Sequence, residues 1–275
     1  MDLNRKTMLA RSLLEQLIAE FREHSHGLLA GVEQVASDKD AAFEETWSCV
    51  RAMMNVRPPW KPTADFLLAQ DELLPALIEE KGIRTVADSI PSPANPQIRL
   101  WRGDITTLAV DAIVNAANSG MTGCWQPLHY CIDNAIHTFA GVQLRIETAS
   151  QMEEQGHGEP TGNARITRAY NLPAKHVIHT VGPIAGGSST DEHRRQLEQC
   201  YISCLDLARK QDLLSIALCC ISTGVFGFPR QEAAEIAVSA VSRWLEGHPD
   251  SALLVVFNVF GETDERIYSE LLGIA

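Results

Sequence analysis

The first ninety residues contain three stretches in which apolar side chains recur at every third or fourth position, the spacing that gathers them on one helical face. This pattern predicts helices over residues 8–21 and 43–54, and the second ends because Pro58 and Pro59 cannot continue it. A third helix is predicted from a cap at Thr63 to the neighbourhood of Gly82. These helices carry no evident chemistry, so residues 1–90 are interpreted as a helical extension packed on the main domain.

A polar, proline-rich stretch at residues 91–97 predicts a linker, and the pattern changes after it. Strands are predicted at residues 98–101, 111–115, 164–169, 177–181, 215–221 and 253–259. Helices are predicted at residues 132–155 with a break at Gly141, 191–210, 230–245 and 262–272. Residues 98–275 should therefore form an α/β domain with a mostly parallel or mixed sheet between helices, where ligands bind at the carboxyl ends of strands.

Charge and hydropathy narrow the classes of partner. The 275 residues carry 35 acidic and 23 basic side chains, a net charge of −12 without any basic run, which argues against nucleic acid and anionic lipid. No run of eighteen apolar residues exists, so no membrane span is predicted. The first residues lack the apolar core of a signal peptide, so the cytoplasm is the expected location. A small anionic ligand stays compatible, because backbone N–H groups can hold phosphates.

The cysteines divide into two groups. Their total of seven is odd, which argues against a fully paired disulfide framework. Five lie in apolar periodic stretches and are interpreted as small buried hydrophobes: Cys49, Cys200, Cys204, Cys219 and Cys220. Cys124 and Cys131 instead flank His129 in one short segment. These three side chains suit zinc, and a set of three leaves an open position on the ion. Spacing alone leaves open a zinc site, a redox pair or three unrelated side chains.

Three further motifs directly follow predicted strands. Asp104, in Gly103-Asp104-Ile105-Thr106, is either a turn former or an acceptor for an exocyclic amine. Asn118 offers donors and an acceptor to sugar hydroxyls, or satisfies its own turn. The third motif is Ser222-Thr223-Gly224-Val225-Phe226-Gly227-Phe228-Pro229. Its glycines let successive N–H groups point inward as an anion nest, although a bare loop of this kind is a weak signal.

Together with two segments that lie between Asn118 and Ser222, these motifs occur in the order found in macrodomains, and the chain from about residue 97 onward resembles that family. The two intervening segments are Asp133-Asn134-Ala135-Ile136-His137 with Ala140-Gly141, and Val177-Ile178-His179-Thr180-Val181-Gly182-Pro183. The resemblance implies an α/β fold of three layers, α/β/α, with a mixed six-stranded sheet and a cleft for ADP-ribose.

The same resemblance assigns parts of the ligand to residues. Asp104 and Ile105 would meet adenine, and Asn118 and Asp133, with Ile132 beside them, would flank the distal ribose. The diphosphate would be wrapped by Ser222, Thr223, Gly224, Val225 and Phe226.

One segment departs from common macrodomains, which are glycine-rich where this chain has Cys124, His129 and Cys131. It resembles the zinc-dependent macrodomains associated with sirtuin-type ADP-ribosyltransferases. That branch also carries a helical N-terminal extension, which Met53-Met54-Asn55-Val56-Arg57-Pro58-Pro59 and Gln70-Asp71 resemble. The resemblance therefore favours zinc, with Cys124, His129 and Cys131 as ligands.

The resulting hypothesis is a zinc-dependent protein mono-ADP-ribosyl hydrolase, in which Zn²⁺ polarises a ribose hydroxyl or a water, Asp133 handles the proton and Asn118 holds the distal ribose. The resemblance points to ADP-ribose on an acidic side chain, with a lipoyl-carrier protein modified by a sirtuin-type transferase as one candidate substrate. Three alternatives stay open: a non-catalytic reader of ADP-ribosylated protein, an O-acetyl-ADP-ribose deacetylase, and a zinc-stabilised regulatory pocket.

Four other side chains near these motifs receive structural interpretations. His137 and His179 are expected to be packed and hydrogen-bonded rather than catalytic. Trp125 and Tyr130 either gate the cleft or fill the interior of their loop, and the second is favoured.

Overall fold

The computed structural model describes residues 1–274, which begin with four helices: α1 (Leu3–Glu23), α2 (Val32–Ser37), α3 (Phe43–Val56) and α4 (Ala64–Lys81). The three predicted helices are α1, α3 and α4, and the Thr63 hydroxyl caps α4 by accepting from the Phe66 amide, as predicted. Sequence analysis missed α2, because a helix of six residues is too short to show a period.

Nine strands lie within residues 84–259. They are β1 (Arg84–Thr85), β2 (Ile90–Pro91), β3 (Ile98–Arg102), β4 (Leu108–Ala109), β5 (Ala112–Ala117), β6 (Ala164–Arg168), β7 (His176–Val181), β8 (Ser215–Leu218) and β9 (Leu254–Val259). Short 3-10 helices span Val86–Asp88 and Ile105–Thr107. The remaining helices are α5 (Ile132–Ala140), α6 (Val142–Gln155), α7 (Asp191–Lys210), α8 (Arg230–Gly247) and α9 (Glu262–Leu272).

The main sheet has the order β2-β3-β9-β8-β5-β7-β6. Its interior pairs are parallel, whereas β2 and β6 at the two edges run antiparallel to their neighbours. Strands β3, β5, β6, β7, β8 and β9 form the predicted mixed six-stranded sheet. The two-residue β2 extends one edge, and β1 pairs separately with β4.

Helices flank the sheet and bury its central strands. Strands buried in this way have nearly continuous apolar sequences. Val114, Ile178 and Ile216 on three neighbouring strands are completely buried. Helix α8 packs against both α7 and α9, and α5 packs on β5. No helix within residues 1–274 combines the length and apolarity needed to cross a bilayer.

The extension is joined to the main domain mainly through α5 and α6. Helices α3 and α4 both pack against α5. The buried Gln70 side chain of α4 accepts a hydrogen bond of 2.8 Å from the Val142 amide at the start of α6, satisfying a donor that a helix N-terminus otherwise leaves free. The extension therefore packs on α5, the helix that begins directly after the predicted metal ligand Cys131.

Candidate active site

A cavity of about 500 Å³ opens where the parallel strands β5, β8 and β9 end, the location that an open α/β sheet favours for ligands. Three segments line it: the loop from Asn118 to Cys131, the first turn of α5, and the loop from Ser222 to Phe226. A second cavity of about 470 Å³ adjoins it and shares its lining at the β9 end and the start of α5. The two form one cleft above the sheet.

Cys124, His129 and Cys131 converge on the wall of the first cavity. One potential ligand atom from each lies within 4.8 Å of the others. Cys131 is also the N-cap of α5, and its sulfur accepts from the Asn134 amide at 3.4 Å. The set fits a soft or borderline divalent ion, because two sulfurs and an imidazole are zinc ligands and His129 Nδ1 is buried without a hydrogen-bond partner. As predicted, the three side chains face one another.

The two thiols at this site are electrostatically coupled. A hydrogen bond from Cys131 lowers the pKa of the Cys124 thiol well below its ordinary value, and the Asn134 side chain, 3.4 Å from the sulfur, adds to this effect. The same contact raises the pKa of Cys131. One of the pair is therefore readily available as a thiolate, the form that ligates metals.

Asp133 lines the same cavity as the predicted metal ligands and is 4% exposed. Its Oδ1 accepts a 2.8 Å hydrogen bond from Asn115 Nδ2 and lies 3.5 Å from His137 Nε2. Burial raises the pKa of Asp133 to about 7, although Asn115 and the cation of Arg145 oppose this effect. Among residues 1–274 no donor reaches Oδ2, so the carboxylate keeps an acceptor for a ligand.

Asn118 lines the same cavity, but its polar atoms serve its own turn. Its Nδ2 donates to the Gly123 carbonyl at 2.9 Å, and its Oδ1 accepts from the Gly120 amide at 2.9 Å. This arrangement matches the local-turn interpretation of the sequence. A contact with a ribose hydroxyl must use the remaining amide hydrogen or oxygen lone pair.

The loop from Ser222 to Phe226 presents free backbone donors to the cavity. Among residues 1–274 the amides of Ser222, Gly224, Val225 and Phe226 donate no hydrogen bond. The loop is tied from behind, since the Phe226 carbonyl accepts from the amide of Ala185 at 2.8 Å. These N–H groups have no internal partner, which leaves them available to an anion, as the predicted nest requires.

Gly182 makes room for this loop. A Cβ atom at this position would lie 2.0 Å from the Ser222 hydroxyl oxygen, so no larger residue fits without displacing Ser222. Ser222 itself has a left-handed φ of 65°, an unfavourable conformation for a residue with a side chain.

Asp104 and Ile105 line the second cavity, as expected for the adenine end. Burial alone would raise the pKa of Asp104, but hydrogen bonds from Lys81 and Thr106 outweigh this and hold the pKa below its ordinary value. The Lys81 ammonium lies 2.8 Å from Asp104 Oδ2 and 3.5 Å from the centre of the Phe139 ring. The carboxylate is therefore ionised and already paired with a residue of the extension.

The lining of this cleft also includes residues that the sequence did not indicate, among them Trp47, Arg51, Lys81, Asn258 and Phe260. Asn258 and Phe260 lie at the carboxyl end of β9, a location that the strand-end rule could have identified. Trp47, Arg51 and Lys81 belong to the extension, and no local pattern in their helices indicates a site.

The remaining expectations had mixed outcomes. His179 is buried between Asn115, 3.1 Å from its Nδ1, and Thr167, 3.0 Å from its Nε2, as expected. His137 is buried, but neither ring nitrogen makes a hydrogen bond. The interpretation of Tyr130 as a filler of its loop was wrong, because its side chain is 86% exposed at the mouth of both cavities.

The cysteines follow their prediction in part. No disulfide forms, and Cys200, Cys204 and Cys219 are buried. Cys49 and Cys220 are only half-buried, and Cys220 lines the cleft.

The mixed sheet between helices, with a cleft at the carboxyl ends of its parallel strands, is the fold of the macrodomain class, and this chain belongs to the macrodomain family. The family model described as Macro domain matches residues 114–237. A protein-ADP-ribose hydrolase from Treponema medium is 53% identical over 95% of this chain and 97% of its own length.

Two further similarities extend the comparison. A probable bifunctional ADP-ribose hydrolase/ADP-ribosyltransferase from Fusarium oxysporum f. sp. cubense is 42% identical over 94% of this chain, which matches 47% of that longer protein. The crystal structure of a Trypanosoma brucei macrodomain in complex with ADP-ribose is similar with a TM-score of 0.61 and 38% identity, covering 70% of this chain and 77% of the other.

Proposed function

We propose that this protein is a zinc-dependent hydrolase that removes ADP-ribose from modified protein side chains. The observation that carries the proposal is the convergence of Cys124, His129 and Cys131 within 4.8 Å on the wall of a cavity that also contains Asp133 and the free amides of the nest. The similarity to protein-ADP-ribose hydrolases along nearly the whole chain supports the reaction.

The cleft would hold ADP-ribose along its length. Adenine fits the second cavity beside Asp104 and Ile105, and the diphosphate fits the amides of Ser222 to Phe226, which supply donors without requiring basic side chains. The distal ribose then lies near Asn118, Ile132 and Asp133. This order would bring the anomeric carbon next to the three proposed metal ligands.

Cleavage at the anomeric carbon requires control of a proton and of a developing charge. A Zn²⁺ ion on the two sulfurs and the imidazole would supply Lewis acidity toward a ribose hydroxyl or a water. Asp133 keeps Oδ2 free for a proton of the substrate or of a water, while Asn115 fixes Oδ1. Asn118 would orient the ribose hydroxyls.

The proposed substrate is mono-ADP-ribose on an acidic side chain, with a lipoyl-carrier protein modified by a sirtuin-type transferase as the candidate partner in the cytoplasm. The fungal relative supports a link between the two activities, because its name joins a hydrolase and a transferase in one chain and this chain matches about half of it.

The test combines metal analysis with an assay on purified protein. About one zinc per chain is expected. Release of ADP-ribose from a lipoyl-carrier protein that a sirtuin-type transferase has modified should stop on chelation and resume with Zn²⁺. The Cys124→Ala variant should bind ADP-ribose but not hydrolyse the modified protein. A zinc-replete protein that binds ADP-ribosylated protein but releases no ADP-ribose is a reader. A protein that cleaves only O-acetyl-ADP-ribose is a deacetylase. Either result contradicts the proposal.

A further inference from the structure

Helix α3 of the extension makes direct polar contacts with the loop that carries the metal ligands, defined here as the metal loop, residues 121–131. The buried Asn55 side chain accepts from the Leu128 amide at 2.9 Å through Oδ1. Its Nδ2 donates to the Thr138 hydroxyl of α5 at 3.0 Å. Asn55 thus ties the residue before His129 to the helix that follows Cys131.

Arg51, one helical turn before Asn55, acts on the same region through Asn134. Its Nη2 lies 3.2 Å from Asn134 Oδ1. The Nδ2 of that amide group lies 3.4 Å from Cys124 Sγ and 3.0 Å from the Gln126 carbonyl. Because Arg51 can pair only with the amide oxygen, it fixes the NH₂ group toward the Cys124 sulfur.

The metal loop needs such support because its backbone is strained. Met121, Trp125 and Leu128 have φ values of 59°, 54° and 56°, a left-handed conformation that side chains disfavour. Strain of this kind persists only where surrounding contacts determine the conformation. The amide that Asn55 holds belongs to Leu128, one of the three strained residues.

The buried guanidinium group of Arg145 also connects α3 with the metal loop. Arg145 of α6 donates to the carbonyls of Met54, Asn55 and Arg57 at the end of α3, at 2.9, 2.8 and 2.5 Å. Its Nε donates to the Thr122 carbonyl in the metal loop at 2.7 Å. The end of α3 and the start of the metal loop are therefore held by one guanidinium group.

From these contacts we infer that α3 is a positioning element of the metal site, and that Arg51 and Asn55 hold Cys124, His129 and Cys131 in the geometry that receives the ion. The inference rests on the proposed zinc site. Neither residue touches the ion; both act through the backbone of Leu128 and the side chain of Asn134. Interactions of this outer kind commonly change metal affinity by about 10- to 100-fold.

The experiment measures zinc affinity by competition with a chromogenic chelator on the full chain. Arg51→Met and Asn55→Ala should each weaken affinity by about 10- to 100-fold. Asn55→Asp keeps the acceptor for Leu128, and Arg51→Lys keeps a donor, so both should recover much of the loss. Matched controls are Arg22→Met and Asn4→Ala, exposed residues of the extension that should leave affinity unchanged.

A second readout does not depend on the ion. In metal-free protein, hydrogen exchange of the Leu128 amide should accelerate in Asn55→Ala but not in Asn55→Asp or Asn4→Ala. Equal affinity and equal exchange in Asn55→Ala and wild type would overturn the inference while leaving the zinc site intact. A wild type that binds no zinc would overturn the proposed function and this inference together.

Discussion

Asp133 and Asn134 are neighbours at the start of α5, yet their side chains serve different parts of the cleft. The Asp133 carboxylate faces Asn115 and the cavity, while the Asn134 amide faces the Cys124 sulfur. The helical turn separates the two side chains by about 100°. One helix N-terminus can therefore hold both an acceptor for substrate protons and a donor for a metal ligand.

Replacing Asp133 with Asn tests the acceptor. Asparagine keeps the volume and an oxygen for the Asn115 contact but cannot take up a proton, so hydrolysis should fall by about 10²- to 10⁴-fold, the usual contribution of a general base. ADP-ribose affinity, measured by calorimetry, should change far less. A variant with wild-type turnover would show that Asp133 does not handle the proton.

His179 makes a separate prediction about stability and pH. Burial lowers the pKa of His179 to about 3, while an unfolded histidine titrates near 6.5. Below about pH 6.5 His179 is protonated in the unfolded chain but stays neutral in the native chain. The free energy of unfolding therefore falls by about 1.4 kcal/mol per pH unit down to about pH 3. Above about pH 6.5 His179 is neutral in both states, and this loss in the free energy of unfolding is absent.

Urea unfolding of wild type and His179→Gln at pH 7.5 and 5.0 isolates this effect. Wild type should lose about 2 kcal/mol more than the variant over this interval. Parallel losses in both proteins would mean that His179 is protonated in the native state or exposed to solvent.

The loop after β8 is the element in which backbone conformation most directly serves binding. Its amides are free because the chain bends through the left-handed Ser222, and the bend fits because Gly182 has no side chain. The nest is thus shaped by two segments, the loop itself and the residue after β7.

Gly182→Ala should disturb the nest, since the added methyl group would collide with the Ser222 hydroxyl. Overpacking of this kind commonly costs about 1–3 kcal/mol, and a similar loss in ADP-ribose binding corresponds to about a 5- to 150-fold weaker Kd. Gly247→Ala is the control, because a Cβ at that position meets nothing within 4 Å. Unchanged Kd in Gly182→Ala would contradict this role of Ser222.

Elements with a clear period were predictable from the sequence, whereas contacts between distant elements were not. Short β-rich apolar runs located six of the seven strands of the main sheet, and Thr63 located the start of α4. The short α2 gives too few turns for a period. Arg51 reads as a polar residue on an amphipathic helix, and nothing local links it to Asn134, 83 residues later. Its role depends on how α3 packs on α5.

At the scale of the whole molecule, the proposed metal ligands are peripheral to the structure that holds the chain together. Cys124, His129 and Cys131 lie within eight consecutive residues, while the core consists of the sheet, its flanking helices and the extension. Chelation should therefore leave the far-ultraviolet circular dichroism spectrum unchanged and stop hydrolysis. Loss of helical signal on chelation, with recovery on adding Zn²⁺, would instead identify a zinc-stabilised fold.

The buried guanidinium of Arg145 has a consequence for how this family member can be divided. It finds three of its four carbonyl acceptors at the end of α3, so a fragment beginning at Ile98 would leave this guanidinium with one carbonyl acceptor and would uncover the face of α5 on which α3 and α4 pack. The extension and the sheet with its helices share one hydrophobic core and therefore stabilise each other. A protein engineered from this chain keeps that stability only if both parts are retained.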